Sequence, residues 1–319
     1  MMVTKALVLG HADWRDYDRM VTLLSPDQGK IDAVARGCRK PKSILMNCAE
    51  LFTAGEFTLL EAHGRFTITQ CQISESFYPL RTDFGRLTAG VYFLHLLRQN
   101  ALPGQACEAL FVMALKALAL LAYGELPPAL VTLAFELHLM NLTGQAPCVD
   151  QCVLCARPFE GERALLADGQ ANIAVEAARG VGRDGLLADG RTNIAVEAAR
   201  GVGRDGLLAD GQANIAVEAA RGIGRDGLLA GENARAACEK LRFDARLGGA
   251  VCAQCARGGQ ALSNGARRIL LRVPKTRIDV ADKLLTRPEW PEAARHARRF
   301  VEYRIDTPPK IWPPLPETP

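Results

Sequence analysis

The sequence predicts an α+β chain on three observations. Short apolar runs punctuated by turn residues occupy Val3 to about Ser74, apolar residues recur at helical spacing from Asp83 to Leu142, and two CxxC motifs, Cys152/Cys155 and Cys252/Cys255, follow. These divide the chain into a β-barrel over 1–80, a helical region over 81–147, a cysteine-built metal element over 148–260, and C-terminal helices with a proline-rich tail over 261–319.

The first segment holds five β-prone runs: KALVLG, DRMVTLL, KIDAVAR, LFTAGEFTLLEA and FTITQCQI. Five strands in so short a stretch fit a small closed barrel. The OB-fold is the compact barrel most often built this way, and its sheet face and loops bind single-stranded nucleic acid. An SH3-like barrel would carry nearly the same pattern. Ser25-Pro26-Asp27-Gln28-Gly29 offers proline early in a turn and glycine where φ is positive, and Ala62-His63-Gly64 repeats the device. Both predict hairpins.

At Phe77-Tyr78-Pro79 the period changes. Leu87, Val91, Leu94 and Leu97 then repeat at helical spacing, predicting helices over Asp83 to Gln99, Gln105 to Tyr123 and Pro128 to Leu142. Pro103-Gly104 and Gly124 to Pro127 punctuate them, and Pro128 stands where a first helical turn tolerates proline. They are rich in Leu, Ala and Val almost all round, as expected of a buried bundle. His95 and His138 lie inside them without an acid at ligand spacing, and are expected to be core or edge histidines with their hydrogen bonds met.

Each CxxC can place two thiolates on one turn, and two such knuckles complete the tetrahedral sulfur set that zinc prefers in structural sites. Between Cys155 and Cys252 lie 96 residues, of which 63 belong to three near-identical 21-residue units over 165–227. Without them 33 remain, close to the usual spacer of a zinc ribbon. Copies this alike look like recent tandem duplication inserted at a loop tip, where closure entropy rises slowly with length. A redox dithiol is the competing possibility, but Pro147 and Gly248-Gly249 set both motifs in turns. Cys148 and Cys238 are spare thiols that can compete as ligands.

Charge is balanced overall, with 39 Lys+Arg against 35 Asp+Glu, so any electrostatic role is local. "ARGCRKPKS" packs Arg36, Arg39, Lys40 and Lys42 into seven positions with no acid, and residues 257–319 carry a second excess of +6. Two basic regions point to a polyanion partner, against the alternative of two solvated faces. Asp13, Asp16 and Asp18 are expected to pair with Arg15 and Arg19. The first residues hold too short an apolar run for a signal peptide, and Ala109 to Tyr123 is too short and contains Lys116, so no membrane association is expected and the bacterial cytoplasm is the expected compartment. P-loop, G-x-S-x-G, H-E-x-x-H and paired-carboxylate signatures are absent, and a non-enzyme is expected.

DYDRMVTLLSPDQGKIDAVARGCRKPKS, FELHLMNLTGQAP running into CVDQCVLC, and FDARLGGAVCAQC together resemble the bacterial RecO family. The resemblance spans nearly all of the chain outside the repeats. It implies an OB-fold, a helical domain and a zinc element acting without catalysis in recombinational repair. It also implies binding and annealing of single- and double-stranded DNA, association with RecR and with single-stranded-DNA-binding protein, and help in loading RecA. On it, Arg36, Arg39, Lys40 and Lys42 are phosphate-neutralising residues in the loop after a barrel strand, with Lys30, Arg15 and Arg19 as further candidates. The C-terminal helix offers a competing surface, where Arg295, Arg298 and Arg299 are expected on one outer face and Ala293, Ala297 and Val301 inward. A zinc-ribbon RNA-binding or transcription-associated factor and a thiol-disulfide oxidoreductase are the alternative functions.

Overall fold

The computed structural model describes residues 1–159, 240–278 and 287–316. Five strands open the chain: β1 (Met2–Trp14), β2 (Asp18–Ser25), β3 (Gly29–Ala35), β4 (Ala54–Ala62) and β5 (Arg65–Glu75). They close into a barrel in the order β1-β2-β3-β5-β4. All pairings are antiparallel except β3 with β5, where Ala33 lies opposite Phe66 and Ala35 opposite Ile68. A parallel pair cannot arise from a simple run of hairpins, so the connector of residues 36–53 crosses over between β3 and β4. This is the five-stranded Greek-key arrangement of the OB-fold rather than an SH3-like meander.

The apolar run of β1 is continuous because both of its faces are covered. Ala6 and Val8 point into the barrel with Val21, Leu23, Ile31, Phe57 and Ile68. Leu7 and Leu9 belong to the larger core shared with the helices. β1 is longer at both ends than the KALVLG run, since Met2 pairs with Leu59 on one side and Trp14 with Asp18 on the other. The two expected turns form. Ser25 Oγ accepts from the backbone N–H groups of Asp27 and Gln28, and His63 and Gly64 both take positive φ, as a two-residue hairpin requires.

Three helices follow: α1 (Phe84–Asn100), α2 (Glu108–Tyr123) and α3 (Pro128–Leu142). Asp83 caps α1 by accepting from the Arg86 N–H at 2.8 Å, which leaves it just outside the helix that the spacing assigned it to. Phe52 joins barrel to helix. Its ring lies so close to Gly90 that a Cβ there would stand 3.0 Å from it. Leu130 to Met140 are all buried, so α3 is the central rod of the bundle.

The cysteine-bearing element is a small sheet of β6 (Arg242–Asp244), β7 (Gly249–Val251) and β8 (Gln260–Ala261), ordered β7-β6-β8. Helices α4 (Asn264–Arg272) and α5 (Trp290–Glu302) then return to the bundle, and α5 packs along α3. One hydrophobic core runs from Leu7 through the helices to Cys152 and Cys252. The 21-residue units lie outside the described residues, as does Cys238. No helix among the described residues is long and apolar enough to cross a membrane.

The C-terminal helix departs from expectation. Arg298 does not share an outer face with Arg295 and Arg299 but is 3 % exposed, and its Nε lies 2.8 Å from Oε1 of Glu136, itself 1 % exposed. Small residues at 293, 294 and 297 leave α5 close enough to α3 for the arginine stem to lie between them. Tyr92 OH donates to the same carboxylate oxygen at 2.7 Å, and Arg298 Nη1 donates to the Pro313 carbonyl at 3.0 Å. The guanidinium also lies 5.1 Å from the ring centres of both Tyr92 and Trp312. The proline-rich tail is thereby tied to the bundle, with the Thr307 carbonyl taken up by His95 and Gln99. His138 lies within the bundle with its Nδ1 2.7 Å from the Ala134 carbonyl and its Nε2 2.8 Å from the Thr276 carbonyl, the protonated nitrogen donating to its carbonyl.

Candidate functional site

Two sites come together from residues far apart in the sequence. The first is at the end of the barrel where β1 meets β2. The strands are joined by a three-residue turn, Arg15 to Tyr17, with Arg15 held at φ +60°. The connector after β3 lies against this turn. Arg39 N–H donates to the Tyr17 carbonyl at 3.0 Å, and Gly37 N–H donates to Oδ1 of Asp18 at 2.7 Å. Gly37 has φ +65°, which bends the chain back at the end of β3.

These contacts present the cations of the connector beside the turn. Arg36, Arg39, Lys40 and Lys42 are exposed, as is Arg15. Lys40 Nζ lies 5.5 Å over the ring of Tyr17, and Arg39 Nη1 is 3.4 Å from Asp13 Oδ2. Arg19 is more deeply committed, 3.3 Å from Asp13 and 2.7 Å from Glu50. Burial works against its charge, but the Glu50 and Asp13 carboxylates outweigh that and hold its pKa above the ordinary value. Arg19 thus braces β2 against the connector. Lys30 stands elsewhere, donating from Nζ to the Arg98 carbonyl at 3.1 Å on the helical side of the barrel. The expected acidic cluster is split: Asp13 pairs with Arg19 and Arg39, Asp18 holds the Gly37 N–H, and Asp16 and Arg15 take no part. Two side chains that charge counting overlooks stand here as well, Trp14 at 45 % exposure and Tyr17 at 52 %. Their signal in the sequence is an aromatic on either side of the polar pair Arg15-Asp16.

The second site is the cysteine cluster. Sγ atoms of Cys152, Cys155, Cys252 and Cys255 all lie within 4.8 Å of one another, with Cys155 and Cys252 at 3.9 Å. A tetrahedral ion with metal–sulfur bonds of about 2.3 Å separates its sulfurs by about 3.8 Å, so the four can hold one metal ion. Gly249 brings the knuckles together, because any Cβ there would meet the Cys148 carbonyl at 2.0 Å. Burial alone would raise the Cys152 thiol, but the backbone N–H groups of Cys252, Cys155 and Leu154 aim at it and bring it down to about 6. Cys255 is pushed up to about 12 by sharing hydrogen bonds with Cys252 and Cys155. Cys152 is thereby favoured as a thiolate while Cys255 is favoured as a thiol, and a bound cation would favour the thiolate form of both. Cys148 is turned away, its Sγ 3.3 Å from Asp150 Oδ1.

Sequence models of two domains match the chain: Recombination protein O N terminal over residues 1–77 and Recombination protein O C terminal over 81–186, together more than half of it. The chain belongs to the RecO family. Among relatives, DNA repair protein RecO of Moorella thermoacetica is 32 % identical over 177 residues, 55 % of this chain and 66 % of that protein. Its namesake in Desulfitobacterium hafniense is 38 % identical over 162 residues, 51 % of this chain and 59 % of that protein. The one in Acetivibrio thermocellus is 32 % identical over 152 residues, 48 % and 61 % of the two chains. The chain thus spans about three fifths to two thirds of the RecO relatives it matches.

Proposed function

We propose that this chain is a non-catalytic, DNA-binding protein of recombinational repair, whose barrel holds single-stranded DNA by its phosphate backbone. The observation that carries this is the clamped basic loop: Arg36, Arg39, Lys40 and Lys42 presented together at the end of an OB barrel, on a chain of the RecO family. The β1–β2 loop, against which this connector lies, is one of the two loops through which OB barrels bind oligonucleotides. The relatives named above are called DNA repair proteins, which supports the same role here. With that role go annealing of complementary strands, binding of double-stranded DNA, and partnership with RecR, with single-stranded-DNA-binding protein and, through them, with RecA. Cys152, Cys155, Cys252 and Cys255 hold a structural Zn2+, since four thiolates leave no open coordination position for chemistry. The cytoplasm follows from the role.

The test is anisotropy titration of a labelled single strand across a salt series. Each neutralised phosphate contributes about 0.7 to the slope of log affinity against log salt, so replacing Arg36, Arg39, Lys40 and Lys42 with Ala flattens it by roughly 3. Binding weakens evenly across sequences. An unchanged slope in that variant would overturn the placement of the site. Insulin reduction by a metal-free preparation would favour an oxidoreductase instead.

A further inference from the structure

The barrel end carries more than charge. Trp14 closes the β1–β2 pairing opposite Asp18, and Tyr17 is the last residue of the turn that follows. Both rings are about half exposed. Tyr and Trp, each a broad apolar ring with a polar handle, are enriched where a surface is wet when free and covered when a partner binds. They are also held in place. The Trp14–Asp18 pair, the Arg39 N–H on the Tyr17 carbonyl and the Gly37 N–H on Asp18 tie the turn to the strands and to the connector. Lys40 covers one side of the Tyr17 ring at 5.5 Å, so a cation and a π face lie within one nucleotide's reach.

We propose that Trp14 and Tyr17 form a stacking platform for unpaired bases, so that these rings set a preference for single strands while the loop of Arg36 to Lys42 supplies charge. The proposal rests on the barrel being the DNA-binding element. Phosphates are present in both duplex and single strand, and a row of cations cannot tell them apart. Bases in a duplex are already stacked on each other. Only an unpaired base has a face to offer, and each base stacked on an aromatic ring adds about 5- to 160-fold in affinity without regard to sequence. A rigid turn bearing two such rings beside a basic loop unites the two parts of a single-strand site.

The experiment compares two labelled probes of about 16 nucleotides, an upper site size for one OB-fold: oligo-dT and a strand of the same length made of abasic sites. The full chain binds oligo-dT at least about fivefold tighter than the abasic strand, the lower bound for one stacked base. The Trp14→Ala/Tyr17→Ala variant binds the two alike, with the salt slope of the unaltered chain. The Trp14→Phe/Tyr17→Phe variant keeps most of the preference, which separates a lost ring from a damaged turn. If the double alanine variant retains the oligo-dT preference, or the unaltered chain has none, the stacking platform is wrong. Failure of the barrel as the DNA site reads differently: there the four-cation variant leaves the salt slope unchanged.

Discussion

Replacing Arg298 with Met removes the cation of the buried Glu136–Arg298 pair while keeping most of its stem volume. Glu136 is then left as a carboxylate in the middle of α3, 1 % exposed and, among the described residues, answered only by the Tyr92 hydroxyl. Stranding one member of a buried pair costs roughly 3–5 kcal/mol. Loss of the Pro313 carbonyl bond adds about 1 kcal/mol. For a chain of this size 1 kcal/mol moves the melting temperature by about 2–4 °C, so a drop of roughly 8–24 °C is expected. The Glu136→Leu/Arg298→Met double variant has no charge to strand and should melt within a few degrees of the unaltered chain. Differential scanning calorimetry of the four members of the cycle measures the coupling. The pH dependence gives a second reading. Burial raises the Glu136 pKa and the Arg298 guanidinium opposes it. With the guanidinium gone the carboxyl rises further, and a group raised on folding stabilises the protonated protein. The melting temperature of Arg298→Met relative to the unaltered chain should therefore climb as pH falls from neutrality towards the ordinary value of 4.5. A drop below 2 °C, or singles that simply add in the double, would refute the idea that the pair is held together by mutual need.

Two other outcomes follow from the same structure. Cys252→Ser should lower bound zinc and melting temperature together, because the remaining three thiols cannot close a tetrahedral site; full zinc content by atomic absorption would assign the ion to other ligands. His296 is buried beneath Phe243 with its Nε2 at the Ala261 carbonyl, and burial lowers its pKa below 6.5 despite Glu292 nearby. The unfolded chain takes up that proton first, so this contribution is complete above pH 6.5 and lost as pH falls from there through the folded value. His296→Gln should flatten the decline of melting temperature over that window, and an unflattened curve would count against it.

The features legible in the sequence are those that neighbours in the chain determine. The five strands announce themselves because Pro26, Gly29, His63 and Gly64 mark the turns between them, and α3 starts and stops where Pro128 and Leu142 say it does. The cysteine cluster is legible because thiols three apart are rarely accidental. Arg298 was misplaced because a helical face is judged from spacing alone. Arg299 is exposed while Arg298, one position before it, turns inward, because what Arg298 meets is decided by Glu136, 162 positions away. The single acid within the apolar run of α3 was the available signal. Likewise the extra length of β1 depends on partners in β2 and β4, and the bracing role of Arg19 on Glu50 in the connector.

The distance between Glu136 and Arg298 also fixes an order of events during synthesis. α3 emerges from the ribosome with a carboxylate in the middle of the surface it must bury, and the only guanidinium described as answering it is 162 residues behind. At about 5–20 residues per second that is a delay of roughly 8–30 s. The barrel, whose partners all lie within the first 75 residues, can close long before. Cys152 and Cys155 wait in the same interval for their sulfur partners at 252 and 255. A nascent chain therefore carries a finished barrel attached to a bundle that still exposes an acid and two thiols. Quality control that senses exposed apolar surface would find its target in the helices, and a chain truncated before Arg298 would be recognised there even though its barrel had folded.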